Sequence, residues 1–473
     1  MAVLTTRDRS RYRTASAVLA VVVLGLITAC SSSSKSPAAG SISPTQTNAA
    51  SSPVSVPSAD QTAAASSPAS ASAASEAPAG TTPGDDGTNL TMWTRAATQA
   101  ESQRLVDAYN ASHKNHVNLT VIPTESYQQK VGSAAGAKQL PDLFASDIAF
   151  APNFGSQGLW QDITSKIASL PFASSLSPAH IKAGTVSGKE YVMPHTMDLS
   201  VLFYNKDLYV KAGLDPNKPP TTLQEFADQA TAINKLGGGI HGTYFGGNCP
   251  GCLGFTWWPS IWADGGQVYN ADGTASELAS PQAKAVYAIY RKMYDDGVVA
   301  PGAKDEAGAT WTGAFAKGNV GIMAMPSSTL GSMPPALLPN IGVAPIPGVT
   351  GGESTYVGGD VIGISADSKH ADEAWNFLAW QVGDYAQVQV VAKNHDIMTR
   401  TDLASNPYTS GDPRLVLING LSAKGVEPVS LNQGAAINDQ NGPFLVLMRD
   451  AIFGDASKID ADNAKVSAAL AGS

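Results

Sequence analysis

The segment Asn89-Leu-Thr-Met-Trp93 is a short run of β-forming residues, and it opens an alternation of strand and helix patterns. A helical pattern follows at 97–109, and a second β-rich run follows at 117–122. A second helical pattern covers 126–137, and a third strand pattern covers 142–145. This order predicts a parallel sheet with right-handed crossovers. Ligands of such sheets bind beyond the carboxyl ends of the strands.

Composition excludes several classes of protein. The chain has 473 residues, 30 Lys+Arg and 39 Asp+Glu, and 43% of its residues are hydrophobic. That hydrophobic content is too high for a wholly disordered chain. The formal net charge of −9 argues against nucleic acid as a partner, because nothing balances a phosphate backbone. No apolar stretch reaches the roughly 18–20 residues that span a bilayer.

Residues 1–29 have the features of an export signal, since arginines at 7–13 precede an uninterrupted apolar run at 17–27. The run ends in Ile27-Thr-Ala-Cys30, which resembles the lipobox of bacterial lipoproteins. We therefore expect lipidation of Cys30 and an exported protein anchored to the outer face of the cell membrane by its lipid alone. The alternative is a plain secretory signal that leaves Cys30 as a free thiol.

Residues 30–87 form a second compositional region. After Cys30 this region is almost entirely Ser, Ala, Pro, Thr and Gly, and it contains no aromatic residue. Such a sequence buries too little apolar surface to offset the entropy of ordering, so we predict a disordered tether. The folded region at 88–473 is too long for one core, which predicts two α/β lobes.

Several motifs of the folded region stand in an order that is typical of one family. They are Pro141-Asp-Leu-Phe-Ala-Ser-Asp147, Leu202-Phe-Tyr-Asn-Lys-Asp207, Phe255-Thr-Trp-Trp-Pro259, Phe315-Ala-Lys-Gly318 and Glu373-Ala-Trp-Asn-Phe-Leu378. Together they resemble the sugar-binding proteins of bacterial ABC importers, extracellular solute-binding protein family 1, to which the maltodextrin-binding protein belongs.

The resemblance implies a periplasmic-binding-protein-like fold of type II, in which a hinge of several chain crossings joins two α/β lobes. Carried over to this sequence, lobe 1 comprises about 88–198 and 357–412, and lobe 2 comprises about 199–356 and 413–473. The solute site is then expected in the cleft between the lobes.

The family pattern and the predicted strand ends together select the candidate site residues. Asp147 follows the third predicted strand, where it either binds a sugar hydroxyl or caps the next segment. One tryptophan of the family stacks on sugar; the proline that follows selects Trp258, and counting from Phe255 selects Trp257. Trp262 is expected in the core, and the alternative places all three tryptophans there.

Four further residues are expected to contact the solute, against an alternative role at the surface or the hinge. Arg95 follows the first predicted strand and Tyr127 follows the second. Asp360 follows a pair of glycines at the expected lobe crossing. Arg400 lies in Met398-Thr-Arg-Thr, which is similar to a turn of the family.

Cys249-Pro-Gly-Cys252 is expected to form a structural disulfide, because an exported Cys-x-x-Cys tends to oxidise. A redox role is the alternative, and it would need the first cysteine at a helix N-terminus after a strand, in a thioredoxin-like unit. Zinc would need a second pair of ligands that the sequence does not offer. We expect neither a metal nor a cofactor.

The expected function is that of a monomeric substrate-binding lipoprotein. It would capture a sugar or small oligosaccharide, deliver it to the transmembrane subunits of an ABC permease and perform no chemistry. The sequence contains no His-Glu-x-x-His, Gly-x-Ser-x-Gly or Walker A motif. Two alternatives remain: an anionic solute such as a sugar phosphate or glycerol phosphate ester clamped by Arg95 and Arg400, and a secreted carbohydrate-active enzyme using Asp147 and Asp360.

Overall fold

The computed structural model describes residues 84–472. The predicted signal at 1–29, the predicted lipidation at Cys30 and nearly all of the predicted tether lie outside the described residues. Within 84–472, no helix combines the length and the apolar character needed to cross a bilayer.

Nine strands lie within 84–472, and the first three carry the β-rich runs identified in the sequence, with small shifts at their ends. In chain order they are β1 (Asn89–Arg95), β2 (His116–Ile122), β3 (Leu143–Asp147), β4 (Thr185–Val186), β5 (Lys189–Glu190), β6 (Met193–Asn205), β7 (Ile322–Pro326), β8 (Ile341–Ala344) and β9 (Val357–Ile364).

One seven-stranded sheet organises the described chain, with β4 and β5 forming a separate hairpin. β1 pairs in parallel with β2 and β3, which confirms the parallel opening that the alternation predicts. β9 then pairs antiparallel with β3, and β6 pairs antiparallel with β9. β7 and β8 both pair antiparallel with β6, so the sheet is mixed.

β6 connects the two halves of this sheet. Its first part pairs with β9 up to Leu199, and its second part pairs with β7 and β8 from Ser200 onward. Gly359 in β9 faces the first part with a φ of 108°, and a Cβ there would lie 2.2 Å from the carbonyl oxygen of Thr196. Only glycine fits this position, because both the backbone angle and the close approach exclude a side chain.

The helices cover both faces of the sheet. They are α1 (Gln99–Ser112), α2 (Tyr127–Ala137), α3 (Ala151–Ser156), α4 (Thr164–Ala168), α5 (Pro178–Ala183), α6 (Lys206–Lys211), α7 (Leu223–Asn234), α8 (Pro250–Ala263), α9 (Pro281–Asp295), α10 (Gly313–Ala316), α11 (Ala371–Gln381), α12 (Pro413–Leu421), α13 (Pro443–Ile452) and α14 (Ile459–Leu470). Two π-helical turns lie at Ala386–Val391 and Gly434–Asn438.

Local capping explains where several helices begin. The Thr222 hydroxyl accepts the backbone N–H of Glu225 at 3.0 Å and caps the start of α7. The Glu225 carboxylate reaches back to the N–H of Thr221 at 2.7 Å. α9 begins with Pro281 at its first position, where the missing N–H of proline has no helical partner to lose.

Buried apolar side chains fix the first half of the sheet against α1 and α11. Val106 and Tyr109 of α1 and Phe377 of α11 are all 2% exposed or less, and they pack on the apolar face of β1 and β3. The Tyr109 hydroxyl donates to Asn376 at 2.7 Å, which satisfies the one polar group that it carries into this core. This packing holds the carboxyl ends of β1 and β3 side by side, where the candidate site lies.

Candidate functional site

Arg95, at the end of β1, lies between two carboxylates. Its Nη1 is 3.1 Å from Oδ2 of Asp147, which ends β3. Its Nε donates to Oδ1 of Asp360 at 3.1 Å, and its Nη2 also donates to that oxygen. Thr98 donates to the other Asp360 oxygen at 2.8 Å. Because Asp147 and Asp360 are ladder partners on β3 and β9, the sheet itself brings the three groups together.

The three groups differ in their access to solvent. The side chain of Asp360 is wholly buried and that of Arg95 is 10% exposed, but 32% of the Asp147 side chain is exposed. Burial raises the pKa of Asp147; Arg95 opposes that rise and Asp360 adds to it. Burial would lower the pKa of Arg95, but the two carboxylates raise it above its ordinary value. Asp147 is therefore a reachable carboxylate in a partly dehydrated part of the surface.

Asp147 also performs the capping role considered in the sequence analysis. Its Oδ1 accepts the backbone N–H of Ala149 at 3.0 Å and caps the short turn Ile148–Phe150. One carboxyl oxygen therefore holds the backbone, and the other faces Arg95. A carboxylate has about four lone-pair positions, so both oxygens keep capacity for a donor from solvent or from a ligand.

Three aromatic side chains surround Tyr356, the residue just before β9. With Tyr356 we call them the aromatic group. The Tyr356 ring lies 5.1 Å from Phe255, 5.7 Å from Trp258 and 5.8 Å from Trp262, measured between centroids. Tyr356, Phe255 and Trp262 are half-buried. Burial, Glu427 and the charge of Asp147 all raise the pKa of Tyr356. The aromatic group also packs against β9, since a Cβ on Gly358 would lie 3.2 Å from Cε2 of Phe255. Gly358 is two residues before Asp360, the ladder partner of Asp147.

The structure places Trp257 in a hydrophobic core, which corrects the expectation that it lines the cleft. Its side chain is 0% exposed and packs 5.2 Å from Tyr290 and 5.4 Å from Phe245. Trp258 is 1% exposed and contacts the half-buried Tyr356, so it supports the other rings of the aromatic group from behind. Trp262, expected in the core, is the most accessible of the three.

Tyr127 is also a core residue, which corrects the expectation of a solute contact. It is 0% exposed, and its hydroxyl donates to the carbonyl oxygen of Ala145 in β3. Burial raises its pKa well above the ordinary value. The hydroxyl thus ties α2 to the sheet and has no face toward solvent.

Arg400 is 3% exposed and fully engaged, which corrects its assignment to a solute clamp. Its Nε donates to Asp402 at 2.7 Å, its Nη1 donates to the carbonyl of Val382 at 3.1 Å, and Asp384 lies 3.2 Å from Nη1. The guanidinium stacks 3.8 Å from the ring centre of Phe172. Asp360 likewise acts through Arg95, since its carboxyl oxygens are buried and already paired.

Cys249 and Cys252 form the expected disulfide, with sulfurs 2.03 Å apart. Cys249 precedes α8, and its sulfur accepts the backbone N–H of Cys252 at 3.2 Å. The bridge therefore closes the first turn of the helix that carries the tryptophans. The expectation that no metal is bound stays a prediction; within 84–472 no group of three or more His, Cys, Asp or Glu side chains is arranged to hold one.

Sequence reasoning missed Glu427, Gln433 and Tyr269. Glu427 is 2% exposed, and Gln433 donates to its Oε1 at 3.1 Å. Burial raises the pKa of Glu427 well above its ordinary value. One signal was present: Glu427 interrupts the run Val426-Glu-Pro-Val429, where a lone carboxylate among apolar residues indicates a buried, functional or paired acid.

The site thus combines a reachable carboxylate and a group of aromatic rings near the crossing between the two halves of a mixed sheet. The model of the family described as bacterial extracellular solute-binding protein matches residues 94–388, more than half of the chain. The chain therefore belongs to the bacterial extracellular solute-binding protein family. Membership of this extracellular family makes it an exported protein.

Two relatives illustrate the range of the family. A putative binding protein of Brucella abortus is 29% identical over 265 residues, which are 55% of this chain and 63% of that protein. The chain thus matches less than two thirds of that relative's length. The diacetylchitobiose-binding protein DasA of Streptomyces coelicolor is 26% identical over 332 residues, which are 68% of this chain and 76% of that protein.

Solved structures establish the fold class. The crystal structure of the cyclic α-maltosyl-1,6-maltose-binding protein of Arthrobacter globiformis superposes with a TM-score of 0.71 at 24% identity. The match covers 82% of this chain and all of that one. It confirms the predicted fold of two α/β lobes joined by several crossings. The exact lobe boundaries stay a prediction.

Proposed function

We propose that this protein is the substrate-binding component of an ABC importer. It captures a sugar or small oligosaccharide in a cleft between its two lobes and delivers that solute to the transmembrane subunits of a permease. The lobes comprise about 88–198 with 357–412, and about 199–356 with 413–473. The protein performs no chemistry on the solute.

Asp147 is the observation that carries this proposal. It is reachable, partly dehydrated and fixed by Arg95 and by its own backbone cap. A carboxylate in that setting accepts hydroxyl hydrogen bonds with charge assistance, and low solvation strengthens them. The half-buried rings of Phe255, Trp262 and Tyr356 offer an apolar face on which the C–H face of a pyranose can pack.

A hydrolase is a poorer account of the same residues. A glycosidase needs two carboxyl groups that both reach the glycosidic bond from opposite sides. Asp147 and Asp360 share one arginine on neighbouring strands, and Asp360 is wholly buried. The pair therefore cannot flank a sugar linkage, and binding without chemistry accounts better for both residues.

The arginine clamp for an anionic solute is also poorly supported. Arg95 already faces two carboxylates, so its charge is more than balanced. Arg400 is paired with Asp402 and Asp384 and is almost wholly buried. Both guanidiniums already face two carboxylates, so neither offers the uncompensated positive charge that a phosphate clamp requires.

The membrane association of the receptor is proposed from the sequence alone. Lipidation at Cys30 would hold a monomeric receptor at the outer face of the membrane, and the tether would let it reach the permease. Replacing Cys30 with alanine should move the protein from the membrane fraction to the soluble fraction of cells. An unchanged membrane fraction would contradict lipidation at that residue.

Thermal unfolding in the presence of a sugar panel tests the proposal. The panel contains maltose, maltotriose, trehalose and N,N′-diacetylchitobiose, each titrated to saturation. A true solute at about 100 times its dissociation constant should add about 2.7 kcal/mol to the free energy of unfolding, which is a shift of several degrees. Asp147→Asn should weaken the binding of that solute by about tenfold or more, because the variant loses a charge-assisted hydrogen-bond acceptor.

The matched control is Asp272→Asn, because Asp272 is an exposed carboxylate in a surface turn. It should leave the affinity for every sugar unchanged. Equal affinity of wild type and Asp147→Asn for the bound sugar would contradict the role of Asp147. A panel without any shift would contradict the proposed sugar receptor.

A further inference from the structure

The segment that carries Glu427 is fixed at the crossing between the two halves of the sheet. Val426 donates its N–H to Thr355 at 3.0 Å and accepts the N–H of Val357 at 3.0 Å. A Cβ on Gly425 would lie 2.1 Å from Cγ2 of Val357, so the two segments approach each other closely here. Glu427 is thereby held directly beside Tyr356 and the start of β9.

Several buried polar atoms around Glu427 have no hydrogen-bond partner in the part of the chain that the structure describes. They are Oε2 of Glu427, Oε1 of Gln433, the hydroxyl of Tyr269 and Nε1 of Trp258, and each side chain is at least nine-tenths buried. We refer to Glu427, Gln433, Tyr269, Tyr356 and Trp258 as the Glu427 cluster. Leaving buried polar groups unpaired is costly, so a concentration of them indicates a site completed by a ligand.

The charges that face the cluster come from the opposite half of the fold. Asp147 raises the pKa of Glu427, and Lys182 and the Tyr356 and Gln433 hydrogen bonds lower it, against a dominant rise from burial. Glu427 in turn raises the pKa of Tyr269 beyond the effect of burial. Contacts between the two segments place the cluster beside Asp147. Asn153, on the segment that follows Asp147, donates to the carbonyl oxygen of Leu431 at 3.1 Å, and a Cβ on Gly434, next to Gln433, would lie 2.6 Å from Cε1 of Phe150.

We propose that the Glu427 cluster is the wall of the solute site opposite Asp147, where Glu427, Gln433 and Tyr269 take hydrogen bonds from hydroxyl or amine groups of the solute. The wall thereby selects neutral and amino sugars and rejects phosphorylated or carboxylated ones. This assignment rests on the proposed function, and it adds residues and a solute class to it.

The chemistry of the unpaired atoms determines which class of solute the wall can bind. The free oxygens of Gln433 and Glu427 accept hydrogen bonds, the Tyr269 hydroxyl accepts or donates one, and only the Trp258 N–H is limited to donating. A sugar hydroxyl or an ammonium group supplies the donors that this set requires. A phosphate or carboxylate group brings only acceptors and a negative charge toward Asp147, so it meets like charge there and unpaired oxygens in the cluster.

Titration calorimetry on wild type and Glu427→Gln tests the assignment with matched probes. Trehalose is compared with trehalose 6-phosphate, and diacetylchitobiose with chitobiose, its free-amine form; maltose and maltotriose complete the set. We expect Glu427→Gln to weaken the binding of the neutral or amino sugar by about tenfold or more. We expect the wild-type protein to bind no phosphorylated probe. The control Asp462→Asn alters another 2%-exposed carboxylate with an unpaired oxygen, on α14, and should leave affinity unchanged.

Tyr269→Phe separates a binding role from a structural one. It removes only a hydroxyl that has no partner in the described chain, so the unliganded variant should melt at or above the wild-type temperature. The same variant should bind the sugar about threefold to tenfold more weakly, since one hydrogen bond is lost. A purely structural hydroxyl would lower the melting temperature and leave the affinity unchanged.

The outcomes distinguish this assignment from the proposed function. Wild type that binds a neutral sugar with unchanged affinity in Glu427→Gln and Tyr269→Phe would overturn the assignment and leave the receptor proposal standing. Tight binding of trehalose 6-phosphate would overturn the solute class. Silence with every probe would overturn the receptor proposal and the assignment with it.

Discussion

Arg95 fixes the geometry of the candidate site because it forms ion pairs with two carboxylates that the sheet brings together. Asp360 is wholly buried and depends on Arg95 and Thr98 for its hydrogen bonds. Removing one partner of a buried ion pair leaves the other charge uncompensated, and this is far more destabilising than removing both. Arg95 therefore contributes to the stability of the fold directly, and it contributes to binding through Asp147, which it positions.

We expect Arg95→Met to lower the free energy of unfolding by about 3–5 kcal/mol, because it strands the buried Asp360 charge. Adding Asp360→Asn should recover a large part of that loss, since the second substitution removes the stranded charge. Denaturant unfolding of the two single variants and the double variant measures this. Strictly additive losses in the double variant would contradict the coupling.

Single residues show where sequence reasoning succeeded and where it did not. Arg95 and Asp147 were predicted from strand ends, because the carboxyl ends of parallel strands meet at one edge of a sheet. Trp262 was expected in the core and Trp257 or Trp258 in the cleft, but Trp262 is the more exposed, because exposure depends on how α8 packs against α9 and the segment before β9. Glu427 lies more than 250 residues after Asp147 in the sequence, and only the fold brings the two near each other.

Among the elements, β6 is the one that the site and the hinge share. It runs for 13 residues, is buried almost throughout and pairs with strands of both halves of the sheet. α5 supports its first part through His180, whose Nε2 donates to the carbonyl oxygen of Thr196 at 3.1 Å. Ser177 lies 2.8 Å from the other ring nitrogen of His180.

This buried histidine predicts an acid sensitivity. Burial lowers the pKa of His180 from 6.5 to about 4. Between those pH values the unfolded chain binds a proton that the folded chain does not. The contribution of neutral His180 to the free energy of unfolding is therefore complete above pH 6.5 and decreases as the pH falls. The loss should be about 1.4 kcal/mol per pH unit and about 3 kcal/mol in total.

Denaturant unfolding between pH 7.5 and 4.5 checks this, with His180→Gln as the non-titrating comparison. Carboxyl groups whose pKa is raised, such as Asp147, act in the opposite direction in both proteins. The informative quantity is therefore the difference between the two pH profiles. Parallel profiles would show that His180 does not contribute.

The individual strands and helices were predicted better than the pairing of the strands in the sheet. The first three strands and their helices follow from local periodicity, and the structure reproduces them within a few residues. The antiparallel insertion of β9 between β3 and β6 could not be read locally, because those strands are separated by long stretches of chain. It entered the prediction only through the resemblance to a family.

For the whole molecule, we propose that two lobes close on a solute. β6 and the segment before β9 connect the halves of the sheet, and Asp198 in β6 accepts hydrogen bonds from Ser327 and Ser328 beyond β7. A solute that contacts both Asp147 and the Glu427 cluster stabilises the closed arrangement more than the open one. That differential affinity is what a hinge motion requires.

The most direct test of the central claim is a crystal structure of the protein with the panel sugar that gives the largest thermal shift. We expect sugar hydroxyls within hydrogen-bond distance of Asp147 on one side and of Tyr356 or Glu427 on the other. Trp257, Tyr127 and Arg400 should make no contact with it. A sugar bound elsewhere on the molecule, or a sugar held by Arg400, would contradict the account.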